Sequence, residues 1–177
     1  RDSFSRERLL NFPKVATYSA EDFRDLDSAG ATTMHIANGF DSFLEYRESG
    51  RRDEVTFVGA AYENRIAVMQ AVHDAGEKVR VYGRDWSHDL RDRVRTWNRP
   101  RPNLPSHRDI SRSDAYGVMM GSLANVNVHF NQDGFAMRTF EVPGVGGVQL
   151  IDRPDVVQHY DVGTEVLVYE SVAELVD

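Results

Sequence analysis

The stretch that decides the fold is EVTFVGAAYENRIAVMQAVHDAGEKVRVYG, residues 54–83. It opens with a nearly continuous apolar run, EVTFVG, which is typical of a strand that is buried on both faces. Residues 62–76 then carry apolar side chains at helical spacing and end on Gly76, a residue type that commonly caps helices. The segment EKVRVYG follows with the pattern of a second strand. A strand, a helix and a strand in this order predict a parallel sheet.

The same alternation continues on both sides of this stretch. It predicts strands at 14–19, 32–37, 54–59, 77–83, 125–130, 147–152 and 165–169, and helices at 20–30, 62–76, 87–97, 111–124 and 134–142. The proline-rich segment 98–109 is predicted to be a loop. We therefore predict an α/β fold with a parallel sheet and helices on both of its faces. Ligands of such sheets bind at the carboxyl ends of the strands.

Composition limits the classes of protein that need to be considered. The chain has 177 residues, of which 41% are hydrophobic and 28% charged, a normal balance for a soluble domain. The net charge of -7 argues against nonspecific nucleic-acid binding. The sequence has no cysteine, no signal-peptide pattern and no apolar run near the ~18 residues of a membrane span, so we expect a cytoplasmic protein without disulfides. Because the chain begins at Arg1 and ends at Asp177 inside a predicted helix, we expect a fragment of a longer protein.

The first candidate site is FVGAAYENR, residues 57–65. Gly59 ends a predicted buried strand, and a glycine there lets a ligand approach the backbone closely. The free N–H groups at the start of the next helix suit an anion, and Arg65 lies one turn into that helix. The alternative is an ordinary strand-to-helix turn with a solvated arginine.

The second candidate site, NQDGFAMRTFE at 131–141, repeats that design at another strand end. Gly134 permits a tight turn, and Arg138 and Glu141 are spaced to share one helix face. The N–H groups predicted to open the helix are those of Phe135, Ala136 and Met137. The alternative is a surface salt bridge between Arg138 and Glu141, worth well under ~1 kcal/mol. Two such turns in one sheet favour a diphosphate site.

Other chemistries find less support in the sequence. The glycines of PGVGG, 143–147, follow a helix and open a strand, which is the reverse of a dinucleotide-binding fingerprint. The histidines form no pair at metal-ligand spacing, so we predict no metal. His129 either touches a ligand or has a local partner on the strand face. No serine or cysteine stands in a nucleophile-elbow pattern.

Three segments carry a resemblance to a known family: FVGAAYENR, VYGRDW and the run from Arg138 to the end of the chain, which begins RTFEVPGVGGVQLID. They resemble the nucleotide-sugar-binding, carboxy-terminal half of GT-B glycosyltransferases, a Rossmann-like domain, and within it the CgeB-like (spore-maturation type) branch of the group 1 proteins. The resemblance covers residues 54–177 and includes Gly83 among the donor-binding positions. Residues 1–53 look like the end of the acceptor-binding domain and the interdomain linker.

The family's signature is an acidic residue, seven others and then a glutamate, a spacing that Asp133 and Glu141 fit. The resemblance implies that Glu141 holds the nucleotide ribose and that Asp133 lies near the donor sugar as the catalytic residue. The helix start between them would bind the diphosphate. No metal or other cofactor is implied, because helix starts and arginines can stabilise the leaving diphosphate.

The sequence departs from the family at the cationic pair that follows the first strand. Ala60 stands where the family often has an arginine, and Arg65 stands at the position of a lysine. Arg138 or Arg84 could replace the missing cation.

The resemblance implies the donor-binding domain of a retaining glycosyltransferase that moves a sugar from a nucleotide sugar to an unknown acceptor. We expect residues 1–177 alone to transfer no sugar. A non-catalytic nucleotide-binding or scaffold module of the same fold is the alternative, which Ala60 favours slightly. Retention of Asp133, Arg138 and Glu141 favours the enzyme. A weaker third interpretation is another GT-B enzyme, such as a sugar-nucleotide epimerase.

Overall fold

The computed structural model describes residues 6–97, 100–129 and 133–176. The strands are β1 (Val15–Thr17), β2 (Thr33–His35), β3 (Val55–Val58), β4 (Val79–Tyr82), β5 (Ser106–His107), β6 (Ala124–Asn127), β7 (Gln149–Ile151) and β8 (Leu167–Val168). The helices are α1 (Arg6–Leu9), α2 (Ala20–Ser28), α3 (Glu63–Asp74), α4 (Leu90–Arg95), α5 (Arg112–Gly121), α6 (Arg138–Gly144) and α7 (Val172–Val176), and a 3-10 helix covers Pro154–Gln158.

Six strands form one parallel sheet in the order β5-β4-β3-β6-β7-β8. The chain starts in the middle of this sheet at β3, builds one half through β4 and β5, and then returns to the other side of β3 as β6. The strand order therefore reverses between β3 and β6, the position where open α/β sheets bind their ligands. The predicted α/β fold with a Rossmann-like parallel sheet is confirmed.

Helices cover both faces of this sheet because side chains alternate along each strand. On one face, Val55 and Phe57 of β3 pack with Val126 of β6 and with Met69 and Val72 of α3. The carboxy-terminal helix α7 joins this cluster. On the opposite face, α5 and α6 pack together around Tyr116, Met119 and Val142. The strand pattern thus produces two separate apolar layers.

The middle of the second face is polar although it is buried. Thr56 of β3 donates its hydroxyl to Asn125 Oδ1 of β6 at 2.8 Å. Two residues further along β6, the Asn127 amide donates to Thr139 Oγ1 and to Gln149 Oε1, each at 3.2 Å. All five side chains are at most 5% exposed. Their mutual hydrogen bonds offset the cost of burying polar groups beside the strand ends.

The first part of the chain forms a separate small unit. Strands β1 and β2 pair in parallel, and α2 packs beside them. The following segment then crosses the large sheet's second face without regular structure. It approaches α5 so closely that a Cβ on Gly117 would overlap the carbonyl of Arg47, and Ser49 donates its hydroxyl to the Gly117 carbonyl. Glycine at position 117 is therefore a packing requirement.

The predicted helix at 134–142 is wrong at its start, because α6 begins at Arg138. Gly134 makes a turn with a φ of 71°, and the Ala136 N–H donates to His129 Nε2 at 3.1 Å. Met137 is the N-cap of α6, so Phe135 and Ala136 lie before the helix. The Ala136 N–H donates to the side chain of His129, which follows β6. Helical spacing in the sequence does not show such a contact, so it did not indicate where α6 begins.

Most other elements are shorter than predicted, and two further differences concern the sheet. The loop predicted at 98–109 contains the short strand β5, which pairs with Val81 and Tyr82 of β4, while residues 98 and 99 lie outside the described residues. The strand predicted at 125–130 ends at Asn127, and Phe130 also lies outside the described residues. A two-residue strand is too short to show an alternating pattern.

Candidate functional site

A cavity of about 360 Å³, the central cavity, lies where β3 and β6 end. It brings together five of the residues that the sequence singled out: Gly59, Arg65, Ala136, Met137 and Arg138. The polar strand residues Thr56, Asn125 and Asn127 line its floor, and Tyr18 and Asn38 reach it from the first part of the chain. The position agrees with the expected ligand site of an open parallel sheet.

Arg65 extends from the first turn of α3 to the wall of the central cavity. Its guanidinium donates long hydrogen bonds to the Val128 carbonyl at 3.3 and 3.4 Å and to the Ala60 carbonyl at 3.4 Å. The guanidinium carbon also lies 4.8 Å from the centre of the Tyr62 ring. Burial lowers the pKa of Arg65 from its ordinary value. Among the described residues no salt bridge joins Arg65 to a carboxylate, so this cation keeps the capacity to bind an anion.

Arg138 lies on the same wall, at the start of α6. Its Nε donates to the Val58 carbonyl at 3.2 Å, and its Nη1 forms an ion pair with Glu141. The opposite oxygen of Glu141 accepts from Arg112 Nε of α5 at 3.0 Å. This hydrogen bond raises the pKa of Arg112. Two arginines therefore hold the two oxygens of one carboxylate.

Glu141 is completely buried and is not among the residues that line the central cavity. The arrangement resembles the salt bridge that the sequence offered as the alternative to ribose binding, but it is buried, and Arg112 belongs to it. No local pattern indicated Arg112, because it precedes Glu141 by 29 positions and lies on another helix.

Asp133 lies away from the central cavity, beside the small amino-terminal unit. Its Oδ2 accepts from the Ser19 hydroxyl at 2.5 Å and from the Glu21 N–H at 3.0 Å. These hydrogen bonds lower the pKa of Asp133. With Gly134 and Phe135, Asp133 lines a second cavity of about 190 Å³, the side cavity.

Tyr18 and Asn38 line both the central and the side cavity, so the two spaces are neighbours. Asn38 Nδ2 donates to the Phe135 carbonyl at 2.8 Å, across 97 positions of sequence. A Cβ on Gly134 would come within 2.7 Å of the Tyr18 carbonyl. Sequence reasoning missed Tyr18 and Asn38 because long-range packing alone brings them to the site.

Gly83 lies at the end of β4 in a third, outer cavity of about 520 Å³, which it shares with Gly59 and Arg84. A Cβ on Gly83 would overlap the Gly59 carbonyl, so a glycine is needed for these two strand ends to approach each other. Arg84 pairs with Asp109 at 3.4 Å on an exposed surface and is not among the residues of the central cavity.

His129 has the local partners that the sequence offered as one of its two alternatives. Its Nδ1 lies 3.2 Å from Asp152 Oδ1, and its Nε2 accepts from the Ala136 N–H. Throughout the described part of the chain, no group of three or more His, Asp or Glu side chains is placed to hold a metal ion. In the same residues, no helix has the length and apolar character to cross a membrane.

Residues 54–177 match the model of a family described as glycosyl transferase-like. Since this match covers more than half of the chain, the protein belongs to that family. Membership supports sugar transfer in general terms. Comparison with curated proteins finds no significant match.

Proposed function

We propose that residues 54–177 form the donor-binding domain of a glycosyltransferase, and that the central cavity holds the diphosphate of a nucleotide sugar. The observation that carries this proposal is the pair Arg65 and Arg138 on one cavity wall, at the carboxyl ends of adjacent parallel strands. Family membership supports sugar transfer as the class of reaction. The two arginines give the cavity a positive charge that suits a diphosphate leaving group.

The chemistry of sugar transfer explains why two fixed arginines are useful. Cleavage of the bond between sugar and phosphate leaves additional negative charge on the diphosphate. Donors that are already oriented stabilise this charge without reorganisation. The carbonyls of Val58, Val128 and Ala60 hold the two guanidinium groups in place before any ligand arrives.

We further propose that the donor sugar extends from the central cavity towards Asp133. Support comes from Tyr18 and Asn38, which line both cavities. The spacing of Asp133 and Glu141 is the reason to propose a retaining enzyme of the CgeB-like branch. Residues 1–53, as the end of an acceptor-binding domain, would supply part of the sugar's surroundings. A cytoplasmic location stays a prediction.

A non-catalytic nucleotide-binding module is the second candidate. Two observations favour it: Ala60 replaces a cation that the family often has, and both oxygens of Glu141 are already engaged by arginines. Slow hydrolysis of a nucleotide sugar by the protein would support the enzyme, and binding without any turnover in the full-length protein would support the module.

Calorimetric titration of Arg65→Ala with nucleoside diphosphates, nucleotide sugars and free nucleosides tests the proposal. A charge-assisted hydrogen bond is worth roughly 1.5–3 kcal/mol, so we expect a nucleoside diphosphate to bind about tenfold more weakly or worse. The free nucleoside should bind almost unchanged. Arg91→Ala, which alters an exposed arginine of α4, is the matched control. Absence of nucleotide binding to the wild type, or equal weakening of nucleotide and nucleoside, overturns the proposal.

A further inference from the structure

We propose that His129 is a positioning residue that holds the turn 134–137 against the central cavity, so that Arg138 meets the donor in a fixed place. The proposal rests on the function proposed above and adds the device that shapes its binding wall. His129 lies just beyond the end of β6, and its side chain is completely buried. It is not among the residues that line the central or the side cavity, so we assign it no contact with a ligand.

The imidazole connects three elements. Nδ1 lies 3.2 Å from Asp152 Oδ1, just after β7. Nε2 lies 3.1 Å from the Ala136 nitrogen in the turn and 3.1 Å from Thr139 Oγ1 in α6. Asp152 also accepts from the backbone N–H of His129 at 2.8 and 2.9 Å, so it fixes both the main chain and the ring.

These partners determine which ring nitrogen carries the hydrogen. A backbone N–H can only donate, so Nε2 of His129 must accept from Ala136. The hydrogen of the neutral ring is then on Nδ1, where it points to the Asp152 carboxylate. Thr139 agrees with this assignment, because its hydroxyl accepts from Asn127 Nδ2 at 3.2 Å and keeps its own hydrogen for His129.

Besides His129, the turn is held by Arg153, which donates to the Gly134 carbonyl at 3.4 Å, and by the burial of the Phe135 ring in an apolar cluster. Ala136 does not belong to α6, so its N–H has no helical partner and would lose its hydrogen bond without His129. The Phe135 ring packs edge-on against the imidazole at 5.9 Å, and Asn38 holds the Phe135 carbonyl from the other side. The turn is thus clamped between the first part of the chain and His129.

Arg138 follows directly after this turn, so a displacement of the turn moves its guanidinium. Because interactions that stabilise a transition state need close alignment, a small shift of a donor weakens its contribution. His129 therefore acts on the proposed reaction through the position of Arg138. Asp152 fixes the tautomer of His129, because its carboxylate lies beside Nδ1, the ring nitrogen that does not contact the turn.

Two substitutions at this position separate the hydrogen bond from the packing. His129→Phe keeps an aromatic ring beside Phe135 but removes the acceptor, whereas His129→Gln offers an oxygen at a reach similar to that of Nε2. We expect His129→Phe to weaken the best-binding of UDP, GDP and ADP by about tenfold, and His129→Gln to stay within about threefold of the wild type. His159→Phe is the matched control, since His159 also packs edge-on against Phe135 but, among the described residues, forms no hydrogen bond with the turn.

Two measurements need no ligand. Hydrogen exchange of the Ala136 amide should be faster in His129→Phe and near the wild-type rate in His129→Gln. The 15N shifts of the imidazole should show a neutral ring with its hydrogen on Nδ1. An unchanged Ala136 exchange rate in a folded His129→Phe variant, or a hydrogen on Nε2, overturns the proposal. If His129→Phe does not fold, the tautomer and the His129→Gln exchange rate decide.

The outcomes distinguish this inference from the proposed function. If no nucleotide binds the wild type while exchange and tautomer are as expected, the nucleotide site fails and the positioning of the turn stands. If nucleotides bind equally well to the wild type and His129→Phe, the positioning role is wrong while the nucleotide site stands.

Discussion

Of the two arginines that the sequence offered in place of a cation at position 60, Arg138 is the one that lines the central cavity. The sequence left Arg84 as the other candidate, but Arg84 lines the outer cavity and pairs there with Asp109. Arg138 shares the wall of the central cavity with Arg65. The Glu141 carboxylate partly neutralises the positive charge of Arg138. A bound diphosphate would therefore have to share Arg138 with this carboxylate or displace the carboxylate from it.

Glu141 provides a prediction at the residue scale. If it holds the ribose, Glu141→Ala should cost a ribonucleotide roughly 1.5–3 kcal/mol of binding free energy, and a 2′,3′-dideoxy analogue should lose little. Glu141→Gln should keep part of the affinity, because it keeps the shape and one acceptor. Calorimetric titration of both variants with the two nucleotides measures these differences.

The observed geometry supplies the contrary expectation for the same variants. If Glu141 serves only to hold Arg112 and Arg138, both nucleotides should lose affinity equally as Arg138 loosens. The free energy of unfolding should also fall by roughly 1.5–3 kcal/mol, because a buried acceptor of two charged donors is gone. Equal losses for the two nucleotides would rule out a direct bond from Glu141 to the ribose.

At the scale of elements, the close contact between α5 and the segment before β3 can be tested by adding a side chain at Gly117. Gly117→Ala places a methyl group where the Arg47 carbonyl lies, so the segment must move or α5 must shift. We expect a loss of about 1–3 kcal/mol in the free energy of unfolding, measured by chemical denaturation. Gly50→Ala is the control, because its added Cβ has no neighbour within 4 Å. A neutral Gly117→Ala would show that this contact does not form.

Element order was predictable from sequence, and the details of the site were not. The alternation in 54–83 is local, so it indicated β3, α3, β4 and the parallel sheet correctly. The start of α6 was missed because the His129 side chain takes the Ala136 N–H. The second partner of Glu141 was missed because it lies on another helix. Both of these errors involve a side chain that only the folded chain brings near.

At the scale of the whole molecule, carboxylates that accept hydrogen bonds tie separate parts of the chain together and make stability depend on pH. The hydrogen bond from Arg108 lowers the pKa of Asp92, and the hydrogen bond from Ser19 lowers the pKa of Asp133. A carboxyl whose pKa is lower in the folded state contributes stability above its unfolded value of about 3.9. This contribution is lost as pH falls through the pKa that the carboxyl has in the folded state.

We therefore expect the free energies of unfolding of the wild type and Asp133→Asn to differ at pH 7 and to converge as pH falls below about 4. Denaturation at a series of pH values measures the two curves. Asp53→Asn is the control, since Asp53 pairs with Lys78 on the exposed surface and should change stability little at any pH. A gap for Asp133→Asn that is constant across the series would show that its ionisation does not support the fold.

The placement of the two tryptophans gives the protein its own optical reporter. Trp86 is 0% exposed and donates its indole N–H to the Gly59 carbonyl at 2.8 Å, whereas Trp97 is 90% exposed. Gly59 lies on the walls of both the central and the outer cavity. An aqueous quencher such as iodide reaches Trp97 and leaves Trp86 emitting. The remaining fluorescence then reports on the strand end where the diphosphate is proposed to bind, without any attached dye.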